Sequence, residues 1–156
     1  MITIRNHAGF TLAELISVLV LLGIVSVVVL SRFNAGPFQT AGFEQEIRSA
    51  LRFAQKFAIM SGCEVQVNVN AGTDSYAVDI RNDVVDADTC LSASGAFTQD
   101  LSNPTGGVFA GTAPNGVDIT AGLSFVYDLQ GRPSTGGVIV INGSGITIEP
   151  DTGYIH

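Results

Sequence analysis

Residues 8–31 carry one charged side chain, Glu14, in a run otherwise made of Leu, Ile, Val, Gly, Ser, Thr, Ala and Phe. About 20 mainly apolar helical residues cross a bilayer core, and this run has that length and composition. A segment apolar on every side must be covered by lipid or by other protein. In lipid a single span has no option but a helix, because every backbone polar group must be satisfied within it. The many β-branched residues do not count against this, since intrinsic propensity is a weak term. Residues 1–9 are short and polar, with Arg5 the only firm charge. A secretory signal peptide carries its small-residue cleavage site after its apolar region. Here Gly9 stands before the apolar region, and no A-x-A follows Leu30. A cut after Gly9 leaves the apolar segment in the mature chain. Arg5 and Arg32 flank the run on either side, so the positive-inside signal does not orient it.

Behind this segment the pattern changes twice. Asn34-Ala35-Gly36-Pro37 is a break signal, and a kink or interruption of the helix is expected there. From Thr40 to about Met60 the residues Phe43, Ile47, Ala50, Leu51, Ala54, Phe57 and Ala58 follow the i, i+3, i+4, i+7 rule of an amphipathic helix. Glu44, Arg48, Arg52, Gln55 and Lys56 fill its other face, and Ser61-Gly62 ends it. The period then becomes two. Residues 64–70 alternate strictly, residues 75–81 answer them, and 71–74 read as a hairpin loop. Residues 82–107, rich in Asp, Ser, Thr, Gly and Asn, read as a long irregular loop. Further strands are expected at 117–120, 123–127, 137–142 and 146–149, with turns at 128–133 and 142–145. No internal repeat is visible. A chain of 156 residues holds one domain. Helices followed by a run of strands predict an α+β head, with the amphipathic helix laid on a curled antiparallel sheet.

Charge and composition exclude several functions. After Phe57 the basic residues are Arg81 and Arg132 against eleven acids, a net charge of −9. Such a surface repels phosphate backbones and gains nothing from counterion release, which disfavours nucleic-acid binding. The two histidines are His7 and His156, far from any Ser or Cys in sequence, so the chain does not read as an enzyme. No lysine follows a glycine-rich loop of phosphate-binding form. Asp83, Asp86 and Asp88 offer oxygen ligands of the kind calcium takes, but three acids in a loop are more often solvated; no cofactor is expected. Cys63 and Cys90 are the only cysteines. They have no metal-ligand spacing, and an even count in an oxidising compartment predicts one disulfide between them.

The string Gly9-Phe-Thr-Leu-Ala-Glu14-Leu-Ile, with the apolar run to Leu30-Ser-Arg-Phe33, resembles the class III signal of type IV pilins and type II secretion pseudopilins. That resemblance implies a leader (1–9) cut after Gly9 by a prepilin peptidase and N-methylation of the new terminus at Phe10. It also implies that Glu14 docks each subunit into a growing filament. Its other implied partners are further pilins or pseudopilins and an inner-membrane assembly platform. The physics agrees: Gly lets the backbone lie flat in a protease cleft. A lone carboxylate in an apolar helix costs on the order of 3 kcal/mol near the bilayer centre and seeks a partner. The likeness continues through Ser49-Ala-Leu-Arg-Phe-Ala-Gln-Lys-Phe-Ala58 and Phe125-Val-Tyr-Asp-Leu-Gln-Gly-Arg-Pro133, then Gly137-Val-Ile-Val-Ile141, Ile146-Thr-Ile-Glu149 and Thr152-Gly-Tyr-Ile155. These segments are similar to H-type pseudopilins and FimT-like minor pilins, most of all to a minor pilin of the mannose-sensitive haemagglutinin (MSHA) pilus.

The implied fold is type IV pilin-like. A transmembrane or filament-core helix (10–34) would lead into a periplasmic head (35–156), with an amphipathic helix near 40–60 and β structure over 64–156. The implied function is that of a minor pilin in assembly or tip priming of an MSHA-like pilus. The alternative is the H-type pseudopilin of a type II secretion system. The implied location is the bacterial inner membrane, single-pass, and then a filament at the cell surface. A DNA-uptake role is less well matched, because residues 133–156 contain no Lys or Arg.

Overall fold

The computed structural model describes residues 10–30, 36–81 and 96–156, the side chains of 27–30 excepted. It divides into two compact units, residues 1–35 and 36–156, taken here one at a time.

In the first unit, helix α1 spans Leu12–Leu30, 19 residues, about 28 Å at the α-helical rise. Leu15, Ile16, Val18, Leu19, Val20 and Leu21 are all exposed, so α1 presents hydrocarbon around its circumference rather than on one stripe. Its two serines satisfy themselves: Ser17 donates to the Ala13 carbonyl at 2.8 Å and Ser26 to that of Leu22 at 2.7 Å. Bonding back to the i−4 carbonyl is how a hydroxyl sits in an apolar helix without a stray donor. Among the described residues no helix is long and apolar enough to cross a membrane. The described side chains of α1 stop at Ser26.

The second unit opens with α2, Gly36–Ser61, 26 residues. The expected interruption falls partly on residues 31–35, outside the described residues. Pro37 itself does not break a helix. It lies in the first turn of α2, where a missing N–H costs nothing and the fixed φ is already helical. The predicted stripe is the buried one: Phe43, Ile47, Ala50, Leu51, Ala54 and Ala58 are buried. Phe57 departs from it and is only half-buried, beside Phe53. Ala50, Ala54 and Ala58 form a ridge of methyl groups, which lets sheet and helix backbones come close. Gly62, at φ +67°, ends α2 with its N–H on the Ala58 carbonyl at 3.0 Å, the left-handed stop that glycine adopts without strain.

Among the described residues eight strands follow: β1 Val65–Asn70, β2 Ser75–Arg81, β3 Phe97–Asp100, β4 Ala110–Thr112, β5 Ile119–Ala121, β6 Leu123–Tyr127, β7 Gly137–Ile141 and β8 Ser144–Ile148. They form two antiparallel sheets rather than the single curled one expected. One has the order β3-β2-β1-β6, with β4 also paired to β2; the other is β5-β7-β8. Residues 82–107 are likewise not wholly irregular. Residues 82–95 lie outside the described residues, β3 pairs with β2, and Ser102 bridges Val108.

The register explains the core. Val67 sits between Val78 and Phe125, and Val65 between Ile80 and Tyr127, so one face of the first sheet is a continuous apolar layer against α2. Ile139, Ile141, Ile146 and Ile148 supply the buried face of the second. Asn142 and Gly143, at φ +47° and +85°, make the two-residue β7–β8 turn; both central residues must have positive φ there. The side chains of Asp74 and Gln55 tie the parts together. Asp74 Oδ1 accepts from the Ile119 N–H at 2.8 Å. Gln55 Nε2 donates to the Gly131 and Thr152 carbonyls at 2.9 and 2.8 Å.

Candidate processing and assembly segment

Gly9 lies outside the described residues. Phe10 follows it, 80% exposed and non-helical, and α1 begins two residues later. What stops the helix from extending backward is a reciprocal pair. Glu14 N–H donates to Thr11 Oγ1 at 3.3 Å, and Thr11 N–H donates to Glu14 Oε2 at 3.5 Å. The Thr11 carbonyl accepts from the N–H groups of Glu14 and Leu15. This is a capping box, with Thr11 as N-cap and Glu14 at the third helical position, so two orphan donors at the helix start are satisfied. The helix dipole also favours a carboxylate in this turn. The signal was readable in sequence, a Thr three residues before a Glu at the head of an apolar run. Charge alone singles out Glu14, and Thr11 gains its role only as the cap partner.

Cys63 is buried and disulfide-bonded. Cys90, its expected partner, and Asp83, Asp86 and Asp88 lie outside the described residues. Among the described residues no three His, Cys, Asp or Glu side chains gather to hold a metal ion. A cavity of about 270 Å³ is lined by Glu64, Arg81, Val126, Asp128, Arg132, Pro133 and Ser134. Its charges neutralise each other, Arg81 on Glu64 at 2.5 Å and Arg132 on Asp128 at 3.2 Å. Its one hydroxyl, Ser134 Oγ, is engaged by the Val126 N–H at 3.1 Å. His156 pairs with Glu149 at 3.0 Å and stacks on Tyr154. Asp79 and Asp100 face each other across β2 and β3. Burial, then the Asp100 charge and a hydrogen bond to it, raise the Asp79 carboxyl above its usual range. Burial, with Glu46 at 2.6 Å, raises the Tyr76 phenol in the same way.

Comparison with known proteins gives two matches. Residues 4–30 match the Prokaryotic N-terminal methylation motif. The fold matches the minor pseudopilin EpsH from the type 2 secretion system of Vibrio cholerae. The match has a TM-score of 0.54 and 13% identity, covering 76% of this chain and 94% of that one. No curated protein matches the chain in sequence. The chain thus carries an N-terminal methylation motif at its front and has an α+β fold like that of a minor pseudopilin.

Proposed function

From a type IV pilin-like fold behind an N-terminal methylation motif, we propose that this chain is a minor structural subunit of an inner-membrane-assembled filament. Residues 1–9 are a leader removed after Gly9. Phe10 becomes the methylated N-terminus, α1 is the membrane and filament-core helix, and residues 36–156 are the periplasmic head. Other pilins or pseudopilins and the assembly platform are its partners. The observation that carries this reading is the methylation motif over residues 4–30, which opens into an all-apolar helix with a single carboxylate. The Gly-Arg-Pro turn at 131–133 and the α2 sequence favour an MSHA-like pilus, where the subunit would prime assembly or sit at the tip. The fold likeness to EpsH, a type 2 secretion pseudopilin, favours a second reading as an H-type pseudopilin. The acidic head fits neither reading to DNA uptake.

Deletion of the chain separates the two readings. Loss of surface filaments in electron microscopy supports the pilus, loss of exported protein supports secretion, and no change in either defeats both. Within either system Glu14→Ala makes α1 more apolar. It should leave membrane insertion and cleavage after Gly9 intact while incorporation into sheared filaments falls. Gly9→Val should block removal of residues 1–9, read as retained mass. A Glu14→Ala chain incorporated at wild-type level would show that the carboxylate is not the docking group.

A further inference from the structure

We propose that Asn115 is a site of spontaneous modification, where the backbone nitrogen of Gly116 displaces the side-chain amide, and that the fold shields the chain's other Asn-Gly pair, Asn142-Gly143, from the same reaction. The sequence holds these two Asn-Gly pairs and no third. Glycine is the residue that leaves the attack open, since it has no Cβ to crowd its own nitrogen and its backbone turns freely. The Gly116 nitrogen bonds to Asn115 Cγ, its proton goes to the leaving amide, and ammonia departs from a closed cyclic imide. Water then opens the imide at one of its two carbonyls. Breaking the new bond at Cγ leaves Asp. Breaking the old bond at the backbone carbonyl leaves an isoaspartyl link, in which the chain runs through Cβ. The net change is an amide and a water exchanged for a carboxylate and an ammonium ion, with nothing oxidised or reduced.

Exposure does not separate the two pairs, because both asparagines lie at the surface. Hydrogen bonding does. Asn115 sits in a turn that the Val117 N–H closes on the Pro114 carbonyl at 3.0 Å, with Gly116 at φ +85°. Among the described residues the Asn115 amide has no hydrogen-bond partner and the Gly116 N–H has no acceptor. Attacker and target are both free. The Asn142 amide is held at both ends: Oδ1 accepts from the Asp118 N–H, and Nδ2 donates to Thr40 Oγ1 and to the Gly116 carbonyl, each at 3.0 Å. To reach Gly143 it must give up all three bonds. One such bond is worth about five-fold, and three about a hundred-fold. The Gly116 carbonyl also couples the pairs. It anchors Asn142 and belongs to the residue whose nitrogen reacts at Asn115. An isoaspartyl link lengthens the backbone just before that anchor, so conversion at Asn115 loosens the hold on Asn142.

The proposal does not depend on which filament the chain joins. The test is peptide mapping by mass spectrometry on the full chain, aged in detergent micelles at mildly alkaline pH, with isoaspartate counted by enzymatic methylation. Asn115 should convert to a mixture of Asp and isoaspartate, at a rate near that of the same chain in denaturant. Asn142 should convert about a hundred-fold more slowly than Asn115 in the folded chain, and as fast as Asn115 in denaturant. Thr40→Val removes one anchor and should speed Asn142 about five-fold while leaving Asn115 unchanged. Asn115→Gln should slow Asn142 further, because its anchoring carbonyl stays in place. The proposal is overturned by an Asn115 that survives in the folded chain after the denatured chain has converted there. It is equally overturned by an Asn142 that keeps pace with Asn115 in the folded chain, by a gap that persists in denaturant, or by an Asn142 rate unmoved in Thr40→Val. An Asn142 rate unmoved in Asn115→Gln overturns the coupling.

Discussion

The two helices are built from overlapping alphabets and solve opposite problems. α1 is apolar on every side and buries none of its described side chains within the chain. α2 confines its apolar groups to one stripe and buries six of them under the sheets. The difference teaches where each unit gets its stability. The head closes its own core: α2, the valines of β1 and the isoleucines of β7 and β8 remove one another from water. An apolar side chain buried this way contributes about 1.5–3 kcal/mol. α1 leaves its described apolar side chains exposed, so it gains that term only where lipid or other protein covers them. The polar groups follow the same division. In α1 the Ser hydroxyls bond back to their own turn. In the head the Gln55 amide reaches across to two distant turns.

The sharpest way to break this contrast is to remove α1. Without residues 1–35 the head should pass from detergent-dependent to soluble and monomeric, and unfold cooperatively, because none of its buried residues comes from α1. Phe38 and Met60, both largely exposed on α2, add too little area to drive association. Gel filtration and a thermal melt read both outcomes. A head recovered only in detergent, or without a cooperative transition, would mean that the α2 stripe is not covered as described.

A smaller effect is expected from the disulfide at Cys63. If it closes the loop to Cys90, it constrains about 28 residues of unfolded chain and contributes about 3–4 kcal/mol in the chain-entropy model. Cys63→Ala should lower the unfolding free energy of the head by that amount, read by denaturant titration, without touching α1. Non-reducing peptide mapping should find the 63–90 link, and two alkylatable thiols in the untreated protein would refute the pairing.

The smallest effect belongs to Asp79. Burial and the facing Asp100 raise its carboxyl, so the folded state holds its proton more tightly than the unfolded chain does. The sign is then the reverse of an ion-paired carboxylate: stability is greatest below the unfolded carboxylate range and falls as pH rises through it toward the folded value. Asp79→Asn should therefore stabilise the head at neutral pH, by less than about 1 kcal/mol because the half-buried site is still partly screened by solvent. The gain should vanish in acid. A gain that persists below pH 3 would assign the effect to something other than the carboxylate.

Much of this molecule was legible in order of residues. The apolar run, the lone Glu14, the α2 stripe, the hairpin of β1 and β2 and the Asn142-Gly143 turn each follow from local rules: length, a period of 3.6 or 2, and the positive φ that a tight turn requires. The Thr11–Glu14 cap belongs to the same class, a pattern spanning four residues. The folded structure alone decided what depends on distant partners. The strands split into two sheets because β6 pairs with β1 and β5 with β7 across long stretches of chain. β3 and β4 are too short and too exposed to announce themselves, and they exist because β2 offers them an edge. Asp79 came to face Asp100 through strand register, 21 residues apart in sequence. Local energies act between neighbours in the chain and can be read from it. Pairing and register are settled by many weak contacts at once, and those contacts exist only after the chain has closed on itself.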